Sequence, residues 1–110
     1  MQDPAQRVDT RPRVAVIEDD AAVRRVLSRI LDDAGYAVIA APDGELGLRV
    51  VTDHHPDMLI LDLTLPRMDG LEICRRLRAD SRTVTLPIIV LTAHTSTSDM
   101  VAALDAGADD

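Results

Sequence analysis

The sequence predicts an α/β fold in which helices cover a parallel sheet. Two alternating textures carry that prediction. Short apolar runs rich in Val, Ile and Leu, "RVAVI" (13–17), "YAVIA" (36–40), "MLILDL" (58–63) and "PIIVLT" (87–92), read as strands buried on both faces. Between them lie longer stretches with helical periodicity and capping residues at their ends. A β-α unit repeated four times with short connections predicts parallel strands joined by right-handed crossovers.

Each element has its own local reason. The opening MQDPAQRVDTRP mixes charge, Gln and Pro without periodicity and reads as a flexible N-terminal tail over 1–12, leaving 13–110 as the folded unit. In "DAAVRRVLSRILDDAG", Val23, Val26, Leu27, Ile30 and Leu31 share one face, Asp20 is placed to cap the start and Gly35 the end. "DGELGLRVVTD" is a weaker helix because it contains two glycines. "GLEICRRLRAD" sets Leu71, Cys74 and Leu77 against Glu72, Arg75, Arg76 and Arg78. "TSDMVAALDAG" opens on capping residues and ends near Gly107. The last residues, "AGADD", follow that helix with no further strand, so 87–92 is expected to be an apolar edge open to self-association.

Totals narrow the function. A chain of 110 residues supports one core, and 46% hydrophobic with 28% charged residues is an ordinary globular balance. A formal charge of −7 argues against direct binding to nucleic acid or to an anionic membrane. Tyr36 is the only aromatic residue, which leaves nothing to stack on bases. No apolar stretch approaches a membrane span and the first dozen residues hold no signal-peptide core. The single cysteine, Cys74, fits a reducing, cytoplasmic setting. All 12 basic residues are arginines; there is no lysine.

The polar residues that end the strands carry the chemistry. In open parallel sheets, sites form beyond the carboxyl ends of the strands. The first strand delivers Glu18, Asp19 and Asp20 there, the third Asp62, and the fourth Thr92. Carboxylates from neighbouring strands repel one another, so they must be neutralised or hold a cation. Oxygen donors with no nearby Cys or paired His favour a hard ion, Mg²⁺ before Ca²⁺. Asp62 thus reads as a nucleophile or ligand beside a metal, and Thr92 as a hydroxyl donor to a phosphate oxygen.

With these spacings, "VIEDD", "LILDLTLPRMDG" and "IIVLTA" together resemble the receiver domain of bacterial two-component response regulators over about 13–110. The resemblance implies a flavodoxin-like, doubly wound sheet of order 2-1-3-4, continued in the family by a fifth strand and helix that these residues do not contain. It implies Asp62 as the phosphoacceptor, charged by a histidine kinase or phosphotransfer protein. It implies Glu18 and Asp19 as the acid pair for Mg²⁺ (with Mn²⁺ or Ca²⁺ as substitutes), joined by Asp62 and the backbone carbonyl of Thr64. Glu18 stands where the family often has Asp, so it is expected to act through a metal-bound water. Thr92 matches the hydroxyl that turns to the phosphoryl group, Ala93 its small neighbour, and Thr64 and His94 positions that tune the lifetime of the phosphate. Pro66 and Gly70 shape the loop after Asp62. Such a domain catalyses its own phosphorylation and dephosphorylation and is no metabolic enzyme; an output domain commonly follows.

The family also uses a lysine at the end of the fifth strand, followed by proline and preceded by an aromatic switch residue. None of these stands in this sequence. Three readings follow: the N-terminal portion of a longer regulator, a short receiver whose gap a partner or second copy fills, or a degenerate receiver that acts as a protein-interaction module without phosphorylation. Other functions fit less well. A haloacid-dehalogenase-type phosphatase needs a second acid where Thr64 stands. A flavin or cobalamin module needs a phosphate loop or a cobalt-ligating histidine that is not found. His54 and His55 fall on the edge opposite the acids. The arginines of "RRLRADSR" read as a solvated helix face, and the resemblance to receivers makes Arg24 and Arg25, on the first helix, candidates for kinase docking.

Overall fold

In the computed structural model, which describes residues 9–91 and 97–110, strands and helices alternate as the apolar pattern demands. They run β1 (Arg13–Ile17), α1 (Ala21–Asp33), β2 (Ala37–Ala41), α2 (Gly44–His54), β3 (Met58–Asp62), α3 (Gly70–Ala79), β4 (Ile88–Leu91) and α4 (Thr97–Asp105). The sheet is parallel, ordered β2-β1-β3-β4, as expected. Tyr36 precedes β2 instead of opening it: its N–H returns to the Leu31 carbonyl and closes the turn after α1.

The expected caps at Asp20 and Gly35 are in place, and two further aspartates cap helices. Asp20 accepts from the Ala22 and Val23 N–H groups, Asp43 from Leu46 and Asp69 from Leu71. Gly35 takes a positive φ of 98° just past α1, a conformation that costs glycine nothing. Of the N-terminal segment, Asp9–Pro12 are anchored: Arg11 pairs with Asp32 at 3.0 Å, and the Pro12 carbonyl accepts from Ala37 N–H.

The two faces of the sheet are covered unequally. On one face α2 packs against α3 and α3 against α4, and the main core lies beneath them. It is built of Ala15, Ile17, Leu59, Leu61, Ile88, Val51, Ile73, Cys74, Leu77 and Ala103. Side chains alternate across a strand, so the neighbours of these residues face the other side. There Val14 and Val16 are buried, Ile60 and Ile89 half-buried, and Leu91 exposed. The helix on that side, α1, packs on β1 and β2. Its apolar face was expected to be core, yet no residue of α1 is fully buried and Val26 is 58% exposed. The helix covers half the sheet, and the described residues supply no layer beyond it.

The outer edge of β4 is less bare than the sequence suggested. Asp110 donates to the Ile88 carbonyl and accepts from Val90 N–H, the bonding pattern of a parallel neighbour opposite Ile89. The Asp109 carboxylate takes the Ile88 N–H. A side chain expected in solvent holds this arrangement. Arg78 is only 22% exposed, and its guanidinium donates to the carbonyls of Val84, Leu86 and Gly107 while pairing with Asp109 at 3.0 Å. The end of α3, the lead into β4 and the segment after α4 therefore meet at one cation.

Candidate functional site: an acidic cluster at the carboxyl end of the sheet

Register brings the acids together. β1 and β3 are adjacent and parallel, and Ile17 lies opposite Leu61, so the next residues, Glu18 and Asp62, emerge side by side. Asp19 follows at the start of the loop into α1. Glu18, Asp19 and Asp62 each offer a carboxylate oxygen, and these atoms lie within 4.8 Å of one another.

The three differ in exposure, and that sets their chemistry. Glu18 is buried at 6% exposure, Asp62 half-buried and Asp19 exposed. Burial raises the Glu18 carboxyl first; a hydrogen bond with Asp62 and the charges of Asp62 and Asp19 raise it further, to about 7 against an ordinary 4.5. Near neutrality Glu18 is therefore only partly ionised, and an incoming cation would displace the proton it still holds. One of its oxygens, Oε1, also accepts the Asp20 N–H at 3.2 Å. Three oxygen donors in this charge-crowded setting suit a hard divalent ion.

Asp62 is held by its own loop. Its Oδ1 accepts the Thr64 N–H at 2.9 Å. The loop then folds back at Gly70, where a Cβ would meet Leu63 Cα at 2.8 Å and the Asp62 carbonyl oxygen at 3.0 Å. Only glycine permits that approach. The turn through "PRM" closes with Met68 N–H on the Pro66 carbonyl and holds Arg67 at a φ of 70°. Thr64 thus lies next to the cluster through its N–H bond to Asp62. Thr92, Ala93 and His94 lie outside the described residues; Asp62 pairs in register with Leu91, the residue before Thr92. His54 and His55 end α2, away from the acids, as the sequence implied; the His54 carbonyl accepts from Arg13. Cys74 is buried in the core, and burial raises its thiol pKa.

Sequence reasoning missed one participant. Arg24 reads as a surface cation, but it is half-buried and its Nη1 donates to the Glu18 carbonyl at 2.9 Å. No local pattern announces a bond from a helix side chain back to the preceding loop.

A family model described as the response regulator receiver domain matches residues 14–110. The chain belongs to the response regulator receiver family. Two relatives are the response regulator MprA of Mycobacterium sp. (strain KMS), 50% identical over 98 residues, and that of Mycobacterium ulcerans (strain Agy99), 51% identical over 98 residues. Each alignment covers 89% of this chain, and 42% and 41% of the respective relative, so the chain spans about two fifths of their length. Among solved structures, the chemotaxis response regulator CheY4 of Vibrio cholerae aligns with a TM-score of 0.85 at 32% identity, covering 90% of this chain and 82% of that one. The Francisella response regulator 1452 receiver domain aligns with a TM-score of 0.83 at 27% identity, covering 90% and 80%. The fold of this chain, with its parallel β2-β1-β3-β4 sheet, is therefore that of known receivers over 90% of its length.

Proposed function

We propose that this receiver takes a phosphoryl group onto Asp62 from the phosphohistidine of a histidine kinase or phosphotransfer protein. The observation that carries the proposal is the meeting of Asp62 with Glu18 and Asp19 within 4.8 Å. Three carboxylates this close oppose folding once all are ionised, which favours a cation site over a stabilising contact. A carboxylate is a competent nucleophile for phosphoryl transfer, and the protein's part is positioning and charge compensation. An Asp62 oxygen forms the new P–O bond as the P–N bond to the donor imidazole breaks, and the imidazole keeps the electron pair and takes up a proton.

Glu18, Asp19, Asp62 and the backbone carbonyl of Thr64 are the residues that would hold Mg²⁺. When bound, the ion supplies positive charge for the transferring oxygens. The Thr64 N–H on Asp62 Oδ1 fixes the carboxylate plane, so the attacking oxygen is presented in one direction. Thr92 is assigned the hydroxyl contact with the phosphoryl group, from its position one residue past the Asp62–Leu91 pair. Residues 13–110 are taken as the receiver unit, preceded by a tail over 1–12. The longer relatives support an output domain in the whole protein, and a cytoplasmic setting is consistent with the lack of any helix, among the described residues, long and apolar enough to cross a membrane.

The test is intact mass after exposure to a small phosphodonor, with and without Mg²⁺. A Mg²⁺-dependent phosphoryl adduct is expected on the wild type and not on Asp62→Asn. Thr92→Ala should still accept the group but show a weaker structural response to it. Retention of the adduct by Asp62→Asn would refute the assignment of the acceptor. No uptake by the wild type would favour a module that binds partners without phosphorylation.

A further inference from the structure

Glu18, Asp19 and Asp20 form the loop that leaves β1 for α1, and they carry two of the three clustered carboxylates. The loop backbone is fixed at three points. Glu18 N–H donates to the Ala41 carbonyl at 3.1 Å, which ties its start to β2. The Asp20 carboxylate takes the first free N–H groups of α1, which ties its end. Between these, Arg24 donates through Nη1 to the Glu18 carbonyl at 2.9 Å and reaches the Asp19 carbonyl at 3.4 Å. Side chains on a helix lean toward its N-terminus, and this lets residue 24 reach back over the loop.

We propose that Arg24 is a positioning residue for the cation site. By bonding successive carbonyls it fixes the two peptide planes from which the Glu18 and Asp19 carboxylates project. The proposal rests on the metal reading above. Its charge and its geometry pull in opposite directions, and this makes the role decidable. A guanidinium beside the site repels a cation, so electrostatics alone predicts tighter Mg²⁺ binding when it is removed. Loss of loop geometry predicts weaker binding, as for other residues that orient metal ligands.

The experiment is calorimetric titration of the whole chain with Mg²⁺, with circular dichroism and a melting curve on every variant. Arg24→Gln is expected to weaken Mg²⁺ binding roughly tenfold or more, with the fold retained. Arg25→Gln removes the same charge from an exposed neighbour and should leave affinity unchanged or slightly tighter. Arg24→Lys keeps the charge but ends one atom short of the Nη1 that makes both bonds, so it should lose affinity by a smaller factor. It carries the test alone should the Gln variant unfold, and wild-type affinity in it would then overturn the proposal. Unchanged or tighter binding by a folded Arg24→Gln would overturn it too. A wild type that takes up no Mg²⁺ would refute the metal reading instead. Amide exchange in metal-free protein then decides the role of Arg24: about tenfold faster exchange at Asp19 and Asp20 in Arg24→Gln supports it, and equal rates overturn it.

Discussion

Neutralising Asp62 should make the metal-free protein more stable, while removing the proposed phosphoryl acceptor. Asp62→Asn keeps an oxygen for the Thr64 N–H and removes one negative charge from a cluster whose oxygens lie within 4.8 Å. Two unit charges at that separation repel by about 1 kcal/mol in bulk water and about 3 kcal/mol at the effective dielectric of a protein surface. Asp62 is half-buried and Glu18 buried, so a gain of about 1–3 kcal/mol is expected wherever both carboxyls would be ionised. Because the folded Glu18 pKa is raised to about 7 from 4.5, the folded form holds a proton that the unfolded chain releases first. That contribution is complete below the unfolded value and is lost as pH rises through about 7. The gain from Asp62→Asn should therefore be largest near pH ~8, shrink as pH falls through about 7, and vanish well below 4.5, where Glu18 is protonated in both states. The assay is urea or thermal unfolding with a chelator present, where about 1 kcal/mol corresponds to roughly 4–8 °C in Tm. Millimolar Mg²⁺ should close or reverse the gap if, as proposed, it binds the folded wild type more tightly than the variant. A variant no more stable than wild type near pH ~8 in chelator would refute the claim that these carboxylates oppose folding.

Further outcomes follow from the same geometry. Mg²⁺ affinity should rise with pH through about 7, as Glu18 gives up its proton; calorimetry in buffers of different ionisation heat should show that release, and a flat profile would count against it. Gly70→Ala should destabilise the fold by about 1–3 kcal/mol, because the added methyl meets the Leu63 and Asp62 backbone rather than a movable side chain; denaturant melts measure it, and a neutral result would show that the loop shifts freely. Arg78→Met should cost at least about 2 kcal/mol by stranding the carbonyls it serves, whereas Arg76→Met, exposed on the same helix, should change stability by about 0.5 kcal/mol or less; equal effects would refute the special role of Arg78.

Most of the fold was legible because strand burial and helix capping are local signals. Val, Ile and Leu runs marked all four strands, and Asp20 marked the start of α1. The acidic cluster was legible for a related reason: parallel strands release their last residues at the same edge, so Glu18 and Asp62 had to meet once β1 and β3 were neighbours. What escaped was tertiary use of long side chains. Arg78 looks like its solvated neighbours Arg75 and Arg76, and only the folded chain shows which carbonyls it reaches. Arg24 was misread in the same way. The apolar stripe of α1 correctly signalled a face that pairs with the sheet, but periodicity does not report how much of that face the sheet covers.

The pairing of β1 with β3 also has a kinetic consequence. The clustered oxygens belong to residues 18, 19 and 62, so no short segment of the chain carries the set by itself. The intervening loop, with all of α1, β2 and α2, must close before the cluster exists, and closing it costs chain entropy before any contact is gained. An ion held there binds a finished structure and not a nascent one. Its stabilisation should therefore appear in the unfolding limb of a chevron, slowing escape from the native state, while the refolding limb changes only to the extent that β1 and β3 are already paired at the barrier.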